Sequence, residues 1–227
     1  MKKLLFALGL GLITLSGFSQ QATESTIKRV SLGYDLYTTL WTNMPTGVNT
    51  RAINQGANVF AMYNHDLNEN GLSIATGLGI SSENLFLKDH YIADIKAVVV
   101  EYSAVPAGVN IDRSKLNFTY LDIPIELRLK LKSDVRFGLG FKFGILLDSK
   151  TLYKGAGFDS DENIMNYTVM YKDKKINNLE KYRFGIQLRA GYKWVQVFGY
   201  YALNKVFIAD RGPQMQPIHI GITFMPF

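Results

Sequence analysis

Residues 120–147, YLDIPIELRLKLKSDVRFGLGFKFGILL, alternate so regularly that a pair of β-strands is the only regular structure that suits them. Leu121, Ile123, Ile125, Leu127, Leu129 and Leu131 occupy one set of alternate positions, and Asp122, Glu126, Arg128, Lys130 and Lys132 the other. Successive side chains of a strand point to opposite faces, so one face of this segment is apolar and the other charged. A sheet in water hides such an apolar face, whereas a sheet in a bilayer shows it. The segments elsewhere in the chain decide which.

Period-2 patterning predicts eight strands, over residues 28–40, 53–63, 72–81, 120–131, 135–147, 182–192, about 194–203, and 218–224. In the fifth, Val135, Phe137, Leu139, Phe141, Phe143 and Ile145 oppose Arg136, Gly138, Gly140, Lys142 and Gly144. In the sixth, Tyr182, Phe184, Ile186, Leu188, Ala190 and Tyr192 oppose Arg183, Gly185, Gln187, Arg189 and Gly191. The connections between them are short and long in strict alternation. HDLNEN, SD and Lys193 make the short ones, and residues 41–52, 82–115, 148–181 and 204–217 the long ones. An even strand count, tight turns on one side and long loops on the other describe an all-β, antiparallel, up-and-down transmembrane barrel of the outer-membrane type. Strands of about ten residues also fit a tilted membrane crossing.

The apolar face therefore faces lipid, and the glycines and charges face the lumen. Tyr63, Tyr182, Tyr192 and Trp194 lie near predicted strand ends, where aromatic girdles sit. A soluble lipocalin-like cup also has eight strands, but it needs an apolar lumen and a polar exterior. Pro124 falls mid-strand, where it removes a ladder hydrogen bond and a bulge is the usual remedy.

MKKLLFALGLGLITLSGFSQ opens the chain with two lysines, an apolar stretch and small residues at Gly17 and Ser19, the pattern of an export signal cleaved after Ser19. Residues 1–19 are thus expected to be removed, leaving residues 20–227 as one barrel domain in the outer membrane of a Gram-negative bacterium. Losing Lys2 and Lys3 takes the net charge from +6 to about +4, too modest to argue for nucleic acid. With no cysteine, an exported fold must hold together without disulfides.

YLDIPIEL, with Tyr120, Leu121, Ile123, Pro124 and Leu127, resembles a strand of the PorT-like outer-membrane barrels of Bacteroidota. The segment from Asn177, NNLEKYRFGIQLRAGYKWVQVFGYYAL, and the ending QPIHIGITFMPF resemble that family's last strands. The resemblance implies a barrel without catalytic residues, and PorT itself serves a protein-secretion and gliding apparatus. Phe227 resembles the terminal assembly signal read by the outer-membrane insertion machinery. It stands one residue out of step with Ile218, Ile220, Ile222 and Phe224, and Pro226 intervenes.

Little in the chain points to chemistry. His65, His90 and His219 fall at different levels of the barrel, which argues against a shared metal site. Asp89 beside His90 could orient an imidazole, yet no nucleophile-elbow motif accompanies them. DLNENG, Asp66 to Gly71, begins like a calcium loop but places Gly77 where a bidentate Glu is required, so it reads as a tight turn. The acidic run DSDEN, Asp159 to Asn163, could meet divalent ions but reads as a solvated loop.

By parity, Arg128, Lys130, Arg136, Lys142, Arg183 and Arg189 project into the lumen against Asp35, Asp122 and Glu126. These nine residues form the candidate site: an internal charge network holding the barrel shut, or, if a pore existed, one preferring anions. No cofactor or metal is called for. The expected partners are outer-membrane lipid and lipopolysaccharide, the insertion machinery, and a protein at loops 82–115 and 148–181. In the second loop, KAVVVEYSAVPAGV (Lys96 to Val109) is apolar enough to form a hairpin above the membrane or to dock a partner. The functional expectation is a non-enzymatic surface or structural barrel. The alternatives are an accessory subunit of a secretion or gliding machine, and a small anion pore.

Overall fold

The computed structural model describes residues 29–159, 161 and 163–225. The expected signal segment, Pro226 and Phe227 lie outside them. Eleven strands form among the described residues: β1 (Val30–Thr42), β2 (Gln55–Asp66), β3 (Leu72–Leu87), β4 (His90–Tyr91), β5 (Ser103–Ala104), β6 (Ile111–Lys130), β7 (Val135–Phe158), β8 (Ile164–Lys174), β9 (Tyr182–Tyr192), β10 (Val195–Ala202) and β11 (Gln216–Phe224). Eight of them close a ring in the order β1-β2-β3-β6-β7-β9-β10-β11, every pair antiparallel. Closure is made by β1 and β11, in register from Tyr34 opposite Phe224 to Thr42 opposite Gln216. β8 lies outside the ring and pairs with β7 alone among the described strands. No helix in the described residues is long and apolar enough to cross a membrane.

The exterior is the apolar side. Val59, Leu78, Leu188 and Val197 stand 67, 58, 59 and 62% exposed around the wall, while Asp35, Glu126 and Arg189 on the opposite faces are buried. Tyr182 and Tyr192 bracket this belt on β9. Ten steps of about 3.3 Å, tilted by about 40°, span roughly 25 Å, the height of a barrel's lipid-facing band. Around the short-turn rim, Tyr34 stacks on Phe224 at 4.9 Å and Trp194 lies 6.2 Å from the same ring. Near the other rim Phe143 stacks on Tyr182 at 5.6 Å. These rings lie where a bilayer's interfaces fall.

The turns carry their own chemistry. Asn68 Oδ1 accepts from the backbone N–H of Asn70 and Leu72, and Gly71 adopts φ +86°, so DLNENG is a tight side-chain-braced turn. The carboxylate of Asp159 likewise accepts from the N–H groups of Asp161 and Asn163, closing the β7–β8 hairpin.

Pro124 does not require a bulge. Pairing of β3 with β6 runs from Thr76 opposite Ile125 to Gly79 opposite Asp122 without a change of register, skipping the two intervening pairs. The missing N–H therefore faces β3, and the Thr76 hydroxyl donates to the Pro124 carbonyl at 3.2 Å. The bulge sits nearby on the other edge of β6, where Thr119 pairs with Asp148 and Tyr120 with Leu146, leaving Leu147 extra.

Of the expected long loops, 148–181 is largely strand, and 82–115 is strand at both ends. β6 has 20 residues and β7 has 24, about twice a membrane crossing of roughly ten. Together with β8 they build a sheet that stands beyond the belt. Alternation there does not advertise itself, because the outward face turns polar and the inward face apolar once the strands leave hydrocarbon. The segment from Lys96 to Val109 does not form the expected hairpin either. Val98 and Val99 are exposed, but Val100 is fully buried and Tyr102 packs into the barrel mouth, with only β5 bridging β4.

An arginine at Leu188, in the middle of the belt, is expected to cost about 2–4 kcal/mol of folding free energy in lipid vesicles, against about 0–1 kcal/mol at Leu131 near the rim. Urea unfolding of L188R and L131R in vesicles measures both, and equal costs would contradict the placement of the belt.

Candidate functional site

Register and parity bring the luminal charges into two tiers. The tier nearer the short turns centres on Arg189 of β9. Its Nη1 donates to Asp35 Oδ1 at 2.7 Å and its Nε to Glu126 Oε1 at 2.9 Å. Glu126 also receives Arg128 Nε at 2.7 Å and Gln187 Nε2 at 2.5 Å, while Asp35 receives Asn58 Nδ2 at 2.9 Å and the Thr223 hydroxyl at 2.7 Å. Five strands thus meet through two carboxylates.

The second tier centres on Arg183. Its guanidinium lies 3.0 Å from both Asp122 and Glu83, donates to the Ser81 hydroxyl at 3.0 Å, and stacks 3.8 Å above the Tyr120 ring. Lys142 Nζ is 3.5 Å from Asp122 and 4.2 Å from the Tyr200 ring centre. His219 Nε2 meets Glu83 Oε2 at 2.5 Å, with the imidazole between the rings of Tyr37 at 4.4 Å and Tyr200 at 4.9 Å. Glycines make the space. Gly140 stands opposite Glu126, where an added Cβ would come within 2.7 Å of Glu126 Cγ, and Gly144 stands opposite Asp122, where a Cβ would meet its carboxylate at 2.6 Å.

Of the nine residues expected in the lumen, seven enter these tiers. Lys130 does not: its side chain is 56% exposed at the short-turn rim, 3.6 Å from Asp134. Arg136 stays at the same rim, half-buried, lining a cavity of about 310 Å³ with Arg128 and Gln196. Glu83 and His219 complete the network. His219 is on the luminal face by simple parity, whereas the alternation places Glu83 in a loop, because its outward neighbours, Ser82 and Asn84, are no longer apolar. Four carboxylates therefore meet four fixed cations, and the apparent basic excess disappears.

Above the second tier the lumen becomes apolar. Leu85, Leu87, Leu116 and Phe118 line the wall, and loop residues Ile92, Ile95, Val100, Val206, Phe207 and Met215 fold down onto them. Backbone bonds fasten this lid, with Val100 N–H donating to Arg211 O at 3.0 Å and Asn177 N–H to Ile95 O at 2.9 Å. Asp89 and His90 lie beside the lid, Asp89 Oδ1 being 2.7 Å from His90 Nδ1. Slight burial pushes the Asp89 carboxyl up, but hydrogen bonds from Asn49 and His90 outweigh it and hold the group below the usual carboxylate range. Ser114 donates to the His90 carbonyl rather than to its ring, at 2.6 Å, so these three residues do not form a nucleophile-base pair. Among the described residues no group of three or more acidic, His or Cys side chains is arranged to hold a metal.

A shell with an apolar outside and a charged, filled inside is the inverse of a soluble domain. The family described as "Outer membrane protein beta-barrel domain" matches residues 10–207. The chain belongs to that family. As an outer-membrane barrel it has distant likenesses among solved structures. Ail, the attachment invasion locus protein of Yersinia pestis, is 10% identical over 86% of this chain and 97% of its own, with a TM-score of 0.40. The same protein in complex with the heparin analogue sucrose octasulfate is 11% identical over the same shares, with a TM-score of 0.37. A mutant of the Rh. blastica porin is 9% identical, with 86% of this chain and 99% of that one covered and a TM-score of 0.22. Similarity this low does not extend to function. No match was found among curated proteins.

Replacing Arg189 with Met leaves Asp35 and Glu126 buried without their shared cation. The expected cost is about 3–5 kcal/mol, the scale for breaking a buried ion pair from one side. The double variant D35N/R189M is expected to recover part of that loss, and chemical denaturation of the two refolded barrels measures the difference.

Proposed function

We propose that the protein is a non-conducting, non-enzymatic outer-membrane barrel that works at the cell surface through its long-loop end. One observation carries this reading: the lumen is filled twice, by the neutral charge tiers and by the apolar lid. Eight strands leave an interior that side chains fill, and here they are cross-linked by ion pairs from wall to wall. A neutral lumen also removes the basis for an anion-preferring pore.

A second reading, an accessory subunit of a secretion or gliding apparatus, draws on the resemblance to PorT-like barrels of Bacteroidota. The β7–β8 hairpin favours it. β8 has an edge unpaired among the described strands and exposes Ile164, Tyr167, Met170 and Tyr171 beyond the belt. An unpaired edge with apolar side chains suits strand addition by a partner protein. In biogenesis, the insertion machinery would be the other partner.

In planar bilayers the purified barrel is expected to give no stepwise conductance, and regular current steps would overturn the reading. Photocrosslinking from position 167 in intact outer membranes separates the two roles. A stoichiometric protein adduct is the result expected of a subunit, and a lone barrel that of a self-sufficient surface protein.

A further inference from the structure

Above the belt, the outward face of the β6–β7–β8 sheet changes character abruptly. On β6 the outward residues run Leu127, Ile125, Ile123 and Leu121, then Thr119, Asn117, Lys115 and Arg113. On β7 they run through Ile145 and Leu147 and resume past the bulge at Asp148, Lys150, Leu152 and Lys154. Strand register stacks these into three rows: Asn117, Lys150 and Lys174; Lys115, Leu152 and Lys172; Arg113, Lys154 and Met170. With strands about 4.8 Å apart and rows about 7 Å apart, six cations share a patch of roughly 10 by 14 Å.

Two carboxylates answer them, Asp148 at 2.7 Å from Lys150 and Asp112 at 2.9 Å from Lys154, which leaves six positive charges against two negative. Lys150 stands directly opposite Lys174, a like-charge pairing that weakens a sheet. Lysines on β8 alone could be explained as guards of an exposed edge. Lys115, Lys150 and Lys154 are paired on both sides, where no edge needs guarding. The rows begin where the apolar belt ends, on the same strands, which is the depth of the headgroups around the long-loop end.

We infer that this face binds phosphorylated lipid headgroups of the surrounding leaflet, the phosphates neutralising the rows while the acyl chains lie against the belt below. Anionic headgroups at that depth attract each cation individually, and the fixed spacing of the strands adds a preference for a headgroup bearing more than one phosphate. A soluble acidic protein would have to reach the patch through the headgroup layer.

The inference rests on the membrane reading of the belt, and the two fail differently. A barrel that does not insert yields no lipid adduct of any kind, whereas an inserted barrel indifferent to headgroups overturns this site alone.

The test places a photocrosslinking amino acid at position 152, in the centre of the rows, and reconstitutes the barrel in phosphatidylcholine vesicles. The vesicles contain a minor fraction of either bisphosphorylated lipid A or its dephosphorylated form. The expected result is an adduct with the phosphorylated lipid well above its mole fraction and at least about tenfold above that with the dephosphorylated lipid. K150Q/K172Q/K174Q is expected to erase the difference, and K150R/K172R/K174R to keep it, with heat-modifiable gel mobility showing that both are folded. Equal adducts with the two lipids, or an unchanged glutamine variant, would overturn the proposal. So would loss of the lipid adduct to millimolar inorganic phosphate, which would indicate a free-anion site. In intact outer membranes, a protein-sized adduct at position 152 in place of a lipid one would overturn it as well.

Discussion

Every backbone hydrogen bond of a membrane-spanning sheet must be made within the protein, because hydrocarbon offers no substitute. The pairing of β1 with β11 meets that demand, and the rest of the molecule follows from it. Closing the ring gives the eight strands a narrow interior that side chains fill. The sequence fills it with opposite charges where the wall is lipid-exposed and with apolar side chains where the wall stands in water. The same constraint explains the behaviour at Pro124, where the lost donor faces a short gap in the β3–β6 ladder and a threonine hydroxyl takes up the carbonyl left beside it.

The membrane-embedded part of the fold was legible because lipid outside and charge inside impose the sharpest possible alternation. β9 emerged with the same limits from pattern and from structure, residues 182–192. The part above the membrane was not legible in the same way. Leu85, Leu116 and Phe118 point inward while Asn84, Lys115 and Asn117 point outward, so the period of two persists but its sign is reversed. A reader following one apolar face loses the strand where the solvent changes. The apolar alternation therefore ends before β3 and β7 do, begins after β6 does, gives no sign of β8, and stops short of Glu83.

Charge bookkeeping by parity was accurate about direction and misleading about balance. Lys130 points to the correct side but lies at the rim, where water screens it, and Glu83 supplies a negative charge from a segment that seemed to be loop. Parity gives the face of a residue, not its height, and in a short barrel height decides whether a charge must be paired. The neutral pairing of the buried set fits a shell in which an unpaired charge is strongly destabilising.

The reversal of polarity along β6 and β7 also bears on how the barrel stays where it is put. Its top carries cations that must pass the bilayer once, during assembly, and each costs about 2–4 kcal/mol at mid-membrane. Once across, they act as barbs: withdrawing the chain would drag Arg113, Lys115, Lys150 and their neighbours back through hydrocarbon together. Insertion of such a barrel is a ratchet, fast or slow according to the machinery that drives it, and without a return stroke of comparable rate.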